Sequence, residues 1–213
     1  GGNAQTKYFI SAAYNSTDGI VKETGFKRGS FRINLTQEIM PWLTFTTNNN
    51  YNVMKQDQYS TVRAANPNRV ALLGYPANSP YDENGEFLAN LPYGYYQHNS
   101  LQMLHTNEYK GTTTKLISAN SFDLKIYKDL SFKSSYNVDV TNIDEHSFID
   151  PRTREGQKEK GSISEMSDRI TNFQTEQVFS YNHEFNENNR ISAVGGFSYR
   201  HQKDTYHGAT GTG

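Results

Sequence analysis

Few residues in this 213-residue sequence stand where a reaction would need them. The six histidines (His98, His105, His146, His183, His201 and His207) are scattered, and none has a His-x-Glu or His-x-x-x-His spacing that would put two ligands on one metal. There are no cysteines, which excludes disulfide frameworks and thiolate zinc sites. No nucleophile stands beside a base. Asp82-Glu-Asn-Gly-Glu86 carries oxygen donors but lacks the spacing of a calcium loop, so it reads as a turn. Arg152-Thr-Arg154 and Lys158-Glu-Lys160 read as solvated charge. What remains is recognition. Tyr93-Gly-Tyr95-Tyr96-Gln-His98 sets flat rings beside an amide and an imidazole, a combination that suits sugar faces and peptide side chains alike. Packing between loops would use the same residues. No enzyme activity, metal or cofactor is expected.

The elements that would hold this cluster alternate with period two. In the stretch from Phe26 to Val53, Phe31, Ile33 and Leu35 face away from Arg28, Ser30, Arg32, Asn34 and Thr36. Beyond a turn at Met40-Pro41-Trp42, Leu43, Phe45, Tyr51 and Val53 are set against Thr44, Thr46, Asn48, Asn50 and Asn52. This predicts a hairpin with one oily face and one wet face. The same pattern predicts strands over Gln5–Asn15, Lys115–Tyr127, Leu130–Thr141, Thr171–Phe185 and Arg190–Arg200, with short turns at Lys128-Asp129 and Asn186–Asn189. The segments between are expected to be loops: Ser16–Gly25, Lys55–Thr114 with four of the six prolines, and Asn142–Ile170. Asn84-Gly85, within Tyr81–Phe87, predicts a small hairpin on a type I′ turn.

Strands of roughly 10–14 residues exceed the 5–6 usual in soluble sheets. Short connections fall at one end and long ones at the other. With an apolar face and aromatic residues near both strand ends, this is the pattern of a transmembrane β-barrel. Lipid offers no hydrogen-bond partners, so a sheet in it must close on itself, oily outside and free to be polar within. Alternation then places Arg28, Arg32, Asn48, Asn50, Asp123, Lys133, Asp139, Glu176 and Glu184 towards the lumen. Trp42 and Tyr8, near the short-turn end, and Tyr14, Tyr51 and Tyr199, towards the long-loop end, are candidates for the two interfacial girdles. A net charge of −1 gives no field for nucleic acid. The alternative is a secreted or surface β-rich domain for glycan binding or adhesion, whose strands would alternate around a core.

Gly1-Gly2-Asn3, Thr6-x-Tyr8, Ser11, Tyr14, Gly19-Ile20, Phe26-x-Arg28 and Arg32-x-Asn34 resemble the start of the barrel in SusC/RagA-type TonB-linked outer-membrane transporters. Asn66-Pro67, Pro80–Gly85, Leu130-x-Phe132-Lys133 and the Phe185–Tyr199 hairpin with Gly195-Gly196 fit the same pattern, so the resemblance covers nearly the whole chain. It implies part of a plugged barrel of about 22 strands. It also implies a SusD-like lipoprotein capping the mouth, energy from the TonB-ExbB-ExbD system through N-terminal parts not in this sequence, and import of oligosaccharides or peptides across the outer membrane. On this reading residues 1–213 are one partial barrel domain in outer-membrane lipid, without plug or closing strands. Tyr93, Tyr95, Tyr96 and His98 become candidates for substrate contact, or for contact with the lipoprotein. The ends, Gly1-Gly2-Asn3 and Gly208–Gly213, are expected to be cuts through loops.

Overall fold

Each strand pairs with the strand before and after it in sequence, and with no other. In the computed structural model, which describes residues 1–61 and 66–213, the strands are β1 (Thr6–Asp18), β2 (Gly25–Met40), β3 (Leu43–Gln58), β4 (Glu108–Tyr127), β5 (Leu130–Ile149), β6 (Ser162–Asn186) and β7 (Asn189–Thr212). They form one open antiparallel sheet in the order β1 to β7, an incomplete barrel. Tight turns join β2 to β3, β4 to β5 and β6 to β7, each beside a local register shift. The other connections all leave from the opposite end. No helix among the described residues is long and apolar enough to cross a membrane.

Register decides which side chains share a face. Ile10 lies opposite Ile33, Phe31 opposite Tyr51, Leu124 opposite Phe132, and Phe132 opposite Phe179. The apolar parity of every strand therefore falls on one side. That side is uncovered: Tyr8, Ile10, Tyr14, Phe31, Tyr51, Leu116, Phe122, Tyr136, Phe179, Phe197 and Tyr199 are all exposed on it. It also carries no Asp, Glu, Lys or Arg over a broad band. Moving away from the tight turns along β2 to β7, the first charged residues on this face are Lys27, Lys55, Lys110, Asp144, Arg169 and Lys203. The face is not uniformly oily. Midway along it, Asn49 donates to Thr47 (2.8 Å), Thr47 to Asn120 (2.7 Å) and Asn120 to Ser118 (3.0 Å), so these polar groups satisfy one another.

The ladders run further than the apolar pattern predicts. β6 has 25 residues and β7 has 24. The segments 142–149, 162–170 and 201–212, which lack an oily parity, continue the strands because backbone pairing with a neighbour does not depend on side-chain hydropathy. The expected loop Asn142–Ile170 shrinks to residues 150–161, Lys55–Thr114 to 59–107 and Ser16–Gly25 to 19–24. Residues 62–65 of the long connection lie outside the described residues. Gly208–Thr212, expected as loop, pairs with β6.

The long connection has structure that periodicity misses: α1 (Pro67–Leu73) and α2 (Ser100–Thr106), capped by the side chains of Asn66 and Asn99. Among the described residues of this connection, Pro67, Val70 and Met103 are the buried apolar residues. The other buried side chains here are polar, and all but the Gln102 Oε1 find partners. Asn99 accepts from the Gln102 N–H and donates to the carbonyls of Pro80 and Leu88. The Tyr81–Phe87 hairpin forms, but only Gly85 has positive φ (84°), with Asp82 O accepting from Gly85 N at 3.1 Å. Asn84 is not left-handed, so the turn is not type I′. The Asp82 carboxylate, accepting from the Asn84 and Glu86 N–H groups, shapes it instead.

Asn99→Ala removes a helix cap and strands two carbonyls. Loop 59–107 is expected to lose about 2–4 kcal/mol of local stability. Hydrogen exchange of the α2 amides should accelerate while the β4 and β5 amides stay protected.

Candidate recognition surface

Two loops meet at the end of the sheet away from the tight turns. Asn90 bonds Arg154 and Gln157, Gln102 reaches the carbonyl of Arg152 (3.3 Å), and the Asp150 N–H donates to Asn107 (2.9 Å). Thr153, fully buried, ties the second loop together by donating to the Asp150 carbonyl and accepting from the Gly156 N–H. The platform is thus held by hydrogen bonds more than by an apolar core.

The four residues singled out in sequence separate on this platform. Tyr93 and Tyr95 are exposed, at 57% and 92%. Tyr96 is half-buried, with the Arg69 guanidinium 5.9 Å from its ring centre and Arg69 Nε 3.4 Å from its hydroxyl. His98 turns inward, its residue bridged to Asn90, and its Nδ1 is buried without a hydrogen-bond partner. Burial, with the nearby Arg154 charge second, pushes the His98 imidazole below its ordinary value.

The geometry adds Tyr75, whose ring lies 5.8 Å from that of Tyr93. Asn78 clamps the Tyr93 backbone in both directions, accepting from its N–H and donating to its carbonyl. Gly94 sits at φ 88°, where an added Cβ would lie 3.1 Å from Tyr75 Cβ, so this close approach calls for glycine. Tyr75, Tyr93 and Tyr95 form an aromatic rim. Tyr75 could not be grouped with the others in sequence because the small hairpin intervenes; its one local sign was its place beside Pro76.

The residues expected to line a lumen share the other face of the sheet. Arg28 bonds Asn52, which bonds Asn50; Lys115 pairs with Asp139 (3.3 Å), Lys133 with Asp123 (3.6 Å), and Gln174 bonds Glu176. Arg32 lies opposite Asn50, and Asn48 opposite Asn34. Glu184 lies at the tight-turn end of β6. Trp42 occupies a tight turn and Tyr8 lies close to that end on β1; Tyr14 lies towards the loop end, and Tyr51 and Tyr199 lie near the middles of β3 and β7, each four residues short of the first charged residue on its strand. On the polar face below the loops, Gln58, Tyr109, Gly111, Glu145, Ser147 and Met166 border a cavity of about 250 Å³. No His, Asp or Glu cluster fit for a metal occurs among the described residues.

Burial also raises the Glu155 carboxyl above its ordinary value of 4.5, and its Oε2 has no partner. A raised folded value means that stability is greatest below pH 4.5 and is lost as pH rises through the folded value. Glu155→Gln should therefore slow hydrogen exchange in residues 150–161 near pH 7, with the gain vanishing towards pH 4.

No family model matches the chain. It is 23% identical over 207 residues to the TonB-dependent receptor P26 of Formosa agariphila, covering 94% of this chain and 20% of that protein. Its fold is similar to a chain of the RagAB peptide importer in the closed-closed state (TM-score 0.77, 19% identity, 100% of this chain and 24% of that one). The open-open state gives a TM-score of 0.74 at 20% identity. The chain thus spans about a fifth of the curated relative and about a quarter of the solved chains. The resemblance to SusC/RagA-type TonB-linked transporters drawn from sequence is borne out, and so is the all-β, incomplete-barrel fold.

Proposed function

We propose that the chain is one wall of the barrel of a TonB-dependent outer-membrane importer of the SusC/RagA type. The observation that carries this reading is the uncovered apolar face, free of charge for most of its height and backed by a charged, ion-paired face. A soluble sandwich would have to cover that face with a second layer. Lipid covers it without one. Arg28, Arg32, Asn48, Asn50, Asp123, Lys133, Asp139 and Glu176 then line the lumen, towards a plug supplied by the rest of the protein. Tyr8 and Trp42 take the periplasmic interface, and Tyr14 the outer one. The loop platform stands outside the cell, where a SusD-like lipoprotein would close over it.

The cargo on this reading is an oligopeptide or oligosaccharide drawn past the aromatic rim; RagAB, to which the fold is similar, is a peptide importer. Tyr93 and Tyr95 are the contacts. Tyr96 and His98 hold the loop that presents them. Energy would come from the TonB-ExbB-ExbD system through the remainder of the protein.

In the full-length protein, lysine at Ile33, Val138 or Phe197, midway along the charge-free band, should disfavour membrane insertion by about 2–4 kcal/mol near mid-bilayer. Lysine at Asn48 or Ser135 should be mild. The yield of folded, heat-modifiable barrel in outer-membrane fractions reads this, and equal losses on both faces would refute the assignment. Tyr93→Ala and Tyr95→Ala should each weaken binding of labelled peptide or glycan by about 0.5–1.5 kcal/mol. Unchanged binding of both cargo classes would remove the rim from the site.

A further inference from the structure

Where the charge-free band ends, the first charged residue on five of the six strands from β2 to β7 is basic, Asp144 on β5 being the exception. Lys27 lies directly opposite Lys55, and no ion pair neutralises either among the described residues. Like charges opposed across strands are destabilising unless an anion sits between them. On the next two strands, Lys110 is neutralised by Glu108 and Asp144 accepts from Ser167 (2.7 Å). On β6 and β7 the charge is again uncompensated. Arg169 and Lys203 stand on adjacent rungs, opposite Thr205 and Thr171, with His201 and His207 on the rungs to either side. None of the four has a hydrogen-bond or ion-pair partner among the described residues.

These groups line a groove of about 750 Å³ floored by Asn142, Thr171 and Thr205, with Thr114, Ser167 and the Asp144 carboxylate, which accepts from Ser167, completing its lining. The rows immediately below it on the same face are Val138–Phe173–His201 and Tyr136–Thr175–Tyr199. Unpaired cations and hydroxyls thus lie above aromatic and aliphatic side chains. That arrangement fits an amphiphile with an anionic head and hydrocarbon tails.

We propose that this groove binds the phosphate of a membrane lipid in the leaflet on the long-loop side. This rests on the outward reading of the apolar face given above. Arg169 and Lys203 contact the phosphate, the hydroxyls of Thr171 and Thr205 complete its hydrogen bonds, and Phe173 and Tyr199 carry the acyl chains. The Lys27–Lys55 pair extends the same basic collar around the barrel. Arg suits phosphate through its two-pronged donor geometry, and Lys as a point charge.

The test uses the full-length protein in nanodiscs of phosphatidylcholine with a minority of phosphatidylglycerol, and native mass spectrometry to count retained anionic lipid. Wild type should retain phosphatidylglycerol selectively. Arg169→Ala with Lys203→Ala should cut retention by about tenfold or more, since each cation near an anionic surface contributes about a factor of five. Arg32→Ala with Arg200→Ala, removing equal charge from the opposite face, should leave it unchanged. Equal loss in both pairs, or loss in neither, overturns the proposal. So does displacement of the lipid by millimolar inorganic phosphate, which would mark a free-anion site. A fluorophore on Phe173→Cys, challenged with acyl-brominated lipid, separates the two readings. Quenching with no effect of Arg169 and Lys203 refutes the headgroup site alone, whereas absence of quenching refutes the outward assignment and the site with it.

Discussion

A side chain on a strand has no choice of face once the register of its ladder is set. A slip of one residue between β3 and β4 would bring Asp123 and Lys115 to the side now held by Phe122 and Leu116. Every property of this sheet depends on that constraint. The Phe45–Phe122 and Phe132–Phe179 contacts, with ring centres 4.9 and 4.5 Å apart, pin the register on one side. The Lys115–Asp139 and Lys133–Asp123 pairs pin it on the other. A slip would carry charge into the oily band and break those pairs together. The hydrogen-bonded chain from Asn49 to Ser118 obeys the same logic: polar groups are tolerated on the apolar face where register brings their partners within reach.

The loop platform is built on a different principle. Among its described residues the buried apolar content is small, Pro67, Val70 and Met103, and its order comes from amides and hydroxyls that each satisfy several backbone groups. Such a network fixes one arrangement, since each member lost leaves others unpaired. It also holds groups ill suited to burial, the Glu155 carboxyl and the His98 imidazole, and burial shifts the first up and the second down, each towards its neutral form. A rigid base of this kind can present exposed rings such as Tyr93 and Tyr95 without ordering them anew at each encounter, which favours binding.

Period-two alternation identified every strand, and both faces, because the oily parity is a local signal. It could not mark where strands end. Residues 142–149 and 201–212 carry no oily parity, yet they remain in the ladder because the neighbouring backbone supplies their hydrogen bonds. The two helices escaped notice for another reason: at seven residues each they are too short to show an apolar stripe, and only their caps, Asn66 before Pro67 and Asn99 before Ser100, signalled them. The tyrosine cluster was legible as a composition but not as a geometry. That Tyr75 joins it and His98 leaves it follows from Asn78 and Asn90, whose partners are 15 and 64 residues away.

The strict neighbour-to-neighbour order of the strands bears on how the wall is assembled. Three of the six pairings need only a tight turn to bring their strands together, so they can nucleate as independent hairpins. The remaining three require a loop to close, and the entropy of closure grows only slowly with loop length. The span from 59 to 107 is the longest of these, and the contacts within it shorten its effective reach by ordering it locally. Construction can thus proceed by adding preformed hairpins along the chain, a route with low contact order for so large a sheet.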